Sequence, residues 1–197
     1  MRVGLGTGST VHFTTVALGE RKPDIVCVAT SRATEQLAGE LGLRLVAPGE
    51  VEALDLAIDG ADQVDPVLNL VKGGGGAHTR EKVVAAMAAR FLVVVDETKL
   101  VDEISGPIPI EVVEFAIDVV ARDLARLGAT GASRRPTPSD NGNPIIDAAF
   151  PPVGDPLALA GALATTPGIV EHGIFPASMV ERAIVAADEV REITRSG

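Results

Sequence analysis

Short aliphatic runs alternate with stretches of helical spacing through the first half of the chain. Apolar runs without polar alternation are typical of parallel strands that are buried on both faces. Strands that alternate with helices in this way predict an α/β fold built on a parallel sheet. The predicted strands are Ile25–Ala29, Leu54–Ile58, Val67–Val71 and Phe91–Val95.

Two helices are predicted between these strands. The segment Ser31–Leu41 opens on a Ser/Thr cap candidate, places Leu37 and Leu41 on one face, and is followed by Gly42. The second helix extends from about Thr79 to Arg90. Its apolar stripe consists of Val83, Val84, Met87 and Ala88.

The pattern changes after Lys99. The sequence Gly106-Pro-Ile-Pro109 interrupts it and predicts a domain boundary near residue 105. An amphipathic segment follows from about Glu111 to Leu127.

The next part of the chain predicts a small α+β lobe. Residues 131–147 indicate a strand, a turn and a second strand, because Asn-Gly within Asp140-Asn-Gly-Asn143 is a strong hairpin signal. A helix over Pro156–Leu163 and a short strand over Gly168–His172 are predicted to complete the lobe. A last helix, Ala177–Arg195, is expected to return to the main domain.

Composition and charge narrow the classes of function. The 197 residues are 46% hydrophobic, enough for a sizeable core, and carry a formal net charge of −10. So acidic a chain is not expected to bind nucleic acid or an anionic membrane surface. The single cysteine, Cys27, lies in an apolar stretch and cannot form an internal disulfide. No secretory or membrane-spanning segment is visible, so a cytoplasmic protein is expected.

A glycine-rich segment, Gly4-Leu-Gly-Thr-Gly-Ser-Thr10, follows a predicted first strand and precedes a helix that begins near Val11. Backbone amides at such a junction can approach an anion, and the helix dipole adds to the attraction. The segment is not a dinucleotide fingerprint, because Ser9 occupies the place of the third glycine, and no P-loop Gly-Lys-Ser/Thr follows. It therefore predicts either a phosphate site or a tight strand-to-helix turn. The hydroxyls of Thr7, Ser9 and Thr10 favour the phosphate.

Two carboxylates follow the predicted strand Leu54–Ile58 in Asp59-Gly-Ala-Asp62. Ligands bind at the carboxyl ends of strands in open parallel sheets, where paired carboxylates could move protons or bind sugar hydroxyls. The alternative is that both aspartates cap the turn and a following helix. A metal site is not indicated, since no His or Cys lies nearby and the three histidines have no ligand spacing.

The most informative segment is Lys72-Gly-Gly-Gly-Gly76 with the Ala-His-Thr-Arg-Glu81 that follows. Four consecutive glycines weaken any regular element, and a close approach of the backbone to a ligand would explain them. Lys72 would supply positive charge there, and Glu81 in the first turn of the next helix would serve as a base. The alternatives are an ordinary helix-start glutamate and, for His78, a loop histidine without a special role.

A further cation, Lys99, ends the sequence Asp96-Glu-Thr-Lys99 after the strand Phe91–Val95. In a chain of net charge −10, a lysine in this place could attract an anionic substrate. The alternative is a solvated loop lysine.

Together these motifs resemble the type A ribose-5-phosphate isomerase family in their order and spacing. The resemblance extends from residue 3 to about residue 176, and no single motif decides it. The matching segments are Gly6–Thr10, Asp59–Asp62, Lys72–Gly75, Thr79–Lys82, Lys99, Pro107–Val112 and Asp140–Asn143.

The resemblance implies a fold, a reaction and an assembly. The fold is a Rossmann-like, doubly wound parallel sheet over residues 1–105 and 175–197, with a smaller α+β, ferredoxin-like lobe over residues 106–174. The reaction interconverts D-ribose 5-phosphate and D-ribulose 5-phosphate through an enediolate in the non-oxidative pentose phosphate pathway, with no cofactor and no metal. A homodimer or homotetramer is usual in the family.

The resemblance also implies roles for individual residues. Glu81 matches the family's proton acceptor, Lys72 and the glycine-loop amides would stabilise the oxyanion, and Asp59 and Asp62 would hold hydroxyls and assist ring opening. The residues that match substrate-binding positions are Thr7, Gly8, Ser9, Thr10, Asp59, Gly60, Ala61, Asp62, Lys72, Gly73, Gly74, Gly75 and Lys99.

The sequence departs from the family in three places. It begins almost at the first strand, without the helix and phosphate-binding lysine that usually precede it, and it has Gln63 and His78 at positions where the family often has other residues. Two other functions stay open, because the fold alone does not exclude them. They are a non-catalytic sugar-phosphate sensor and an amino-sugar phosphate deaminase or CoA transferase. The pairing of the Lys72–Gly75 and Thr79–Lys82 motifs favours the isomerase.

Overall fold

The computed structural model describes residues 1–194. Its α-helices are α1 (Ser9–Arg21), α2 (Arg32–Glu40), α3 (His78–Met87), α4 (Ile117–Arg126) and α5 (Pro156–Ala164). Its strands are β1 (Arg2–Leu5), β2 (Val26–Ala29), β3 (Arg44–Leu45), β4 (Leu56–Asp59), β5 (Gln63–Val64), β6 (Leu70–Val71), β7 (Phe91–Asp96), β8 (Ile108–Val112), β9 (Gly131–Arg134), β10 (Ile145–Ala149), β11 (Ile169–His172), β12 (Ile174–Phe175), β13 (Arg182–Ala186) and β14 (Arg191–Thr194).

The chain divides into two units. The first comprises Met1–Ala61, Arg80–Lys99 and the chain from Ser178 onward, and the second comprises Asp62–Thr79 and Leu100–Ala177. This division differs from the expected boundaries, because residues 62–79 belong to the second unit. The reason is strand pairing, since β6 pairs with β5 and β12 in a three-stranded antiparallel sheet.

The first unit is built on a seven-stranded sheet in the order β14-β13-β7-β4-β1-β2-β3. All neighbours from β13 to β3 are parallel, and only the edge strand β14 is antiparallel to its neighbour. The chain moves towards one edge through α1 and α2 and towards the other through α3. Right-handed crossovers place α3 on the opposite face from α1 and α2. The predicted doubly wound sheet is confirmed, and its switch point lies between β1 and β4.

The predicted start of α2 is confirmed by its cap. The Ser31 Oγ accepts the Thr34 N–H at 3.0 Å, which satisfies one of the amides that the first helical turn leaves without a helical partner. On the sheet beneath, Val3, Leu5 and Cys27 form a buried cluster with Ala38 of α2.

The second unit contains a four-stranded antiparallel sheet in the order β11-β8-β10-β9. With α4 and α5, its chain order is β-α-β-β-α-β, the ferredoxin-like arrangement that the resemblance implies. Val120 and Leu124 of α4 and Leu163 of α5 are fully buried in the core of this lobe. The helix predicted over Pro156–Leu163 and the strand predicted over Gly168–His172 are both confirmed.

The strand predicted over Val67–Val71 is wrong for most of its length. Only Leu70–Val71 is extended, and it pairs antiparallel outside the main sheet. Asp65 explains the difference, because its Oδ1 accepts the N–H groups of Val67 and Asn69. Such a turn competes with a strand for the same backbone donors.

The amphipathic segment expected over Glu111–Leu127 divides into two elements. Its first residues end β8, whose five residues are all buried, and α-helix begins only at Ile117. The cause is pairing on both sides, since β8 lies between β11 and β10.

The last helix, expected over Ala177–Arg195, is wrong as far as the structure describes it; Arg195 lies outside the described residues. The segment forms a short 3-10 turn followed by β13 and β14. Ala183 and Val185 are buried while Ala186 is exposed, so the spacing here has a period of two. Across residues 1–194, the described helices lack the combination of length and hydrophobicity that crossing a bilayer needs.

Candidate active site

The loop after β1 and the end of β4 meet at the switch point of the main sheet. Gly6 donates its N–H to Ile58 O at 2.8 Å, and Thr7 donates its N–H to Asp59 Oδ1 at 2.9 Å. The same Oδ1 accepts the Gly60 N–H at 2.7 Å. Two amide donors therefore fix the orientation of a buried carboxyl group at the edge of the sheet where ligands bind.

A cluster of threonines supports the loop after β1. The Thr7 hydroxyl lies 2.9 Å from that of Thr30 and 3.1 Å from that of Thr34. Thr34 in turn donates to Gly6 O at 2.8 Å. The sequence predicted Thr7 as a substrate contact, whereas its side chain here also braces the loop from within. Sequence reasoning missed Thr30 and Thr34, although their place at the start of a capped helix is a usable signal.

The N-terminus of α1 opens into a cavity. Gly8 caps the helix at a φ of 132°, a conformation that favours glycine, and Gly8 and Ser9 are exposed. The cavity has a volume of about 470 Å³ and is lined by Thr7, Gly8, Ser9 and His12, together with residues of α2. First-turn amides and the helix dipole make such a place suited to an anion.

The candidate base, Glu81, lies in the first turn of α3. Its side chain is buried, with 5% of the residue exposed. The dipole of α3 favours a negative charge at this position.

The candidate cation Lys72 follows β6 and is buried. Its backbone N–H donates to Gly173 O at 2.8 Å, and its Nζ lies 5.6 Å from the centroid of the Phe175 ring. This contact is a cation–π interaction, which gains strength when water is excluded.

Asp62 is exposed and contacts the second glycine-rich segment, residues 73–76, called the glycine loop below. Its Oδ2 accepts the Gly74 N–H at 2.8 Å. The loop turns back on itself, since Gly76 donates its N–H to Gly73 O at 3.0 Å.

Gly73 adopts a φ of 107°, and a Cβ atom there would lie 2.8 Å from Nδ1 of His78. The sequence interpretation of His78 as an ordinary loop residue is wrong, because it begins α3 and is fully buried beneath Gly73.

Arg135 holds the glycine loop from the other side, a contact that sequence reasoning missed. Its Nη1 donates to Gly73 O at 2.8 Å and to Gly74 O at 3.2 Å. Its Nε and Nη2 donate to the two oxygens of Asp147, each at 2.6 Å. Nothing in the Pro- and Ser-rich sequence around Arg135 points to this role.

Glu111 is a second site residue that sequence reasoning missed. Its carboxylate is fully buried and accepts hydrogen bonds from Thr79 Oγ1 at 2.5 Å, Asn143 Nδ2 at 2.7 Å and Asn141 Nδ2 at 3.2 Å. Burial by itself raises the pKa of Glu111, but these hydrogen bonds outweigh it and hold the pKa below its usual value. A charged residue in the middle of an apolar strand was the available signal.

Lys99 ends a short 3-10 turn at the carboxyl end of β7 and is half-buried. Hydrogen bonds from the side chain and the backbone N–H of Thr98, and after them the charge of Lys99, lower the pKa of Asp96. β7 is the neighbour of β4 in the sheet, so Asp59, which ends β4, and Lys99, which follows β7, are at the carboxyl ends of adjacent strands. No group of three or more His, Cys, Asp or Glu side chains is arranged to hold a metal ion within residues 1–194.

Comparison with known proteins identifies the family. The family described as ribose 5-phosphate isomerase A, or phosphoriboisomerase A, matches residues 26–190. The chain belongs to the ribose-5-phosphate isomerase A family. It is 47% identical over 185 residues to ribose-5-phosphate isomerase A of Methanosarcina acetivorans, covering 89% of this chain and 79% of the relative.

Two further comparisons extend the likeness over almost the whole chain. Ribose-5-phosphate isomerase A of Thermosynechococcus vestitus is 44% identical over 98% of this chain and 89% of its own length. A solved structure of a D-ribose-5-phosphate isomerase in complex with phospho-erythronic acid superposes with a TM-score of 0.95 at 42% identity, covering 99% of this chain and 91% of that one. The expected family and fold class are thus confirmed.

Proposed function

We propose that this chain interconverts D-ribose 5-phosphate and D-ribulose 5-phosphate through an enediolate. The observation that carries the proposal is the buried carboxylate of Glu81 in the first turn of α3, within a chain of the ribose-5-phosphate isomerase A family. An aldose–ketose shift needs one base that removes a proton from C2 and returns it to C1. Glu81 is that base, and burial keeps the proton from exchanging freely with water.

Lys72 stabilises the negative charge that develops on the carbonyl oxygen. A buried ammonium acts in a medium of low dielectric, where its attraction for an oxyanion exceeds that of a solvated lysine. The cation–π contact with Phe175 supports this position. The backbone amides of Gly73–Gly75 supply further donors.

Asp59 and Asp62 bind the sugar hydroxyls and assist ring opening. The orientation of Asp59 is fixed by the amides of Thr7 and Gly60, and that of Asp62 by the amide of Gly74. Fixed acceptors of this kind lower the entropy cost of orienting the open-chain substrate.

The phosphate binds against Thr7–Thr10 and Lys99. The start of α1, where Gly8 and Ser9 are exposed, offers amide donors and hydroxyls, and Lys99 offers a full positive charge. The whole active site is proposed to bind phospho-erythronic acid as well. The carboxylate of this compound resembles the planar, negatively charged enediolate.

The assembly and the compartment are part of the proposal. Phe115, at 98% exposure, Val113 and Val119 are exposed apolar side chains close together in the sequence around the start of α4, which supports a homodimer or homotetramer. The single buried cysteine needs no oxidising compartment, which supports a cytoplasmic location. Light scattering of wild type and Phe115→Asp tests the assembly, and a monomeric wild type would contradict it.

The experiment that tests the reaction is isomerisation of D-ribose 5-phosphate by wild type and Glu81→Gln. Loss of a general base should lower kcat about 10²–10⁴-fold while KM changes little. The matched control is Glu35→Gln, because Glu35 also lies in the first turn of a helix but is exposed. A wild type that binds the sugar phosphate without turnover would favour a non-catalytic sensor instead.

A further inference from the structure

The glycine loop of residues 73–76 is held between two side chains of opposite charge. Asp62 Oδ2 accepts the Gly74 N–H at 2.8 Å, and Arg135 Nη1 donates to the carbonyl oxygens of Gly73 and Gly74 at 2.8 Å and 3.2 Å. Gly74 and Gly75 are exposed, so these bonds, rather than packing, determine how their peptide groups point.

Peptide planarity converts these contacts into a direction for the next amide. In a trans peptide the C=O and N–H groups point in opposite directions. The Gly74–Gly75 peptide has its carbonyl oxygen on Arg135, so its N–H, that of Gly75, points away from Arg135. The Gly73–Gly74 peptide obeys the same rule, since its carbonyl is on Arg135 and its N–H is on Asp62.

The charge of Arg135 also polarises these peptides. A hydrogen bond from a cation to a carbonyl oxygen strengthens the N–H of the same peptide as a donor. Arg135 is itself fixed, because two of its nitrogens bond to the carboxylate of Asp147 and only 17% of its side chain is exposed. The guanidinium therefore connects β10 to the glycine loop as a rigid fork.

We propose that Arg135, held by Asp147, is a positioning residue that orients and polarises the Gly75 N–H as an oxyanion donor to the enediolate. This inference depends on the proposed isomerisation for its catalytic meaning. The direction of the Gly75 N–H does not depend on turnover, and it applies to any planar carboxylate or enediolate that binds at the loop. Lysine cannot replace Arg135, because a single ammonium cannot bond to Asp147 and to both carbonyl oxygens with the same geometry.

The test compares Arg135→Lys with a matched control, Arg134→Lys. Arg134 precedes Arg135 in the chain and also forms a two-pronged ion pair, with Glu114, but both partners are exposed. Arg135→Lys should lower kcat about 10–100-fold, since a misdirected oxyanion donor loses part of its contribution to the transition state. KM should change less than about twofold, because the phosphate contacts are elsewhere. Arg134→Lys should retain wild-type kcat.

Binding measurements separate positioning from a general structural role. Calorimetry should show that Arg135→Lys loses affinity for phospho-erythronic acid about 10-fold, while its affinity for inorganic phosphate stays within about twofold of wild type. Asp147→Asn should produce the same selective loss, and the double variant should lose no more than either single variant. If Arg135→Lys does not fold, the affinities for phospho-erythronic acid and inorganic phosphate are compared in Asp147→Asn instead.

Two results would overturn the inference. One is an Arg135→Lys variant whose kcat and phospho-erythronic acid affinity match those of Arg134→Lys. The other is an equal loss of affinity for both ligands, or no binding of phospho-erythronic acid by wild type. A wild type that does not isomerise ribose 5-phosphate, but binds phospho-erythronic acid in an Arg135-dependent way, would contradict the proposed function and support the role of Arg135 in the loop.

Discussion

Gly6 approaches Asp59 so closely that a Cβ atom on Gly6 would lie 2.1 Å from the Asp59 Oδ1 and 2.5 Å from its Cα. The second contact is with backbone, which cannot move aside as a flexible side chain can. A glycine is thus required after β1 because β4 places the Asp59 carboxylate and backbone against it. The loop after β1 and Asp59 at the end of β4 are therefore packed directly against each other.

We expect Gly6→Ala to destabilise the protein by at least about 2 kcal/mol, because the added methyl group overpacks a site with fixed neighbours. The control is Gly39→Ala, in α2, where a Cβ atom meets nothing within 4 Å. Alanine there should be neutral or stabilise by about 0.5–1 kcal/mol. Urea unfolding followed by circular dichroism measures both. Equal unfolding midpoints for the two variants would contradict the close approach of Gly6 to Asp59.

The sequence predicted the parallel sheet and the polar and glycine-rich segments that follow its strands, because buried strands and glycine-rich turns leave local signals. β1, β4 and β7 each end on a motif that the sequence singled out, and parallel topology then brings those ends to one edge. The expected helix over Ala177–Arg195 was wrong for a non-local reason. The apolar residues of this segment are compatible with both the helical and the strand period. The strand forms because β13 pairs with β7.

The hydrogen bonds of Arg135 and Glu111 could not be predicted from the sequence. Each side chain is hydrogen-bonded to a residue distant in the chain, Arg135 to Gly73 and Glu111 to Thr79. Their positions follow from how the hairpin of β9 and β10 and the strand β8 are placed in the lobe. Apart from the charge of Glu111 within an apolar run, these hydrogen bonds leave no periodic or spacing signal in the sequence.

The carboxylate of Glu111 should make stability depend on pH. Because its hydrogen bonds hold the folded-state pKa below the unfolded value of about 4.3, its contribution is present above that pH. The contribution is lost as the pH falls through the folded-state pKa. We expect Glu111→Gln to be less stable than wild type at pH 7 by about 1–3 kcal/mol, and the difference to shrink in acid.

Urea unfolding of wild type and Glu111→Gln between pH 7 and pH 3 measures this difference. Glu114→Gln is the matched control, since Glu114 is an exposed glutamate that pairs with Arg134. A stability difference for Glu111→Gln that stays constant over the whole pH range would show that the carboxylate does not titrate with a depressed pKa.

Cys27 should be chemically inert in the folded protein. The side chain is fully buried in the main sheet, and burial raises the pKa of its thiol to about 11. At pH 8 only about one thiol in a thousand is then a thiolate, and even this fraction is shielded from reagent. We expect a disulfide reagent to modify one thiol per chain in denaturant, and to modify the native protein only as fast as it opens. Rapid labelling of native protein would contradict the burial of β2.

The proposed phosphate contact of Lys99 predicts a change in binding without a change in chemistry. Removing one charge-assisted hydrogen bond costs about 1.5–3 kcal/mol, so Lys99→Met should raise KM for ribose 5-phosphate about 10–100-fold. Turnover at saturation should stay near wild type, because the proposed role of Lys99 is to hold the phosphate and not to act on the atoms that exchange protons. Lys22→Met is the control, since Lys22 is exposed at the far end of α1. A lower kcat with unchanged KM in Lys99→Met would assign Lys99 to the reaction centre rather than to the phosphate.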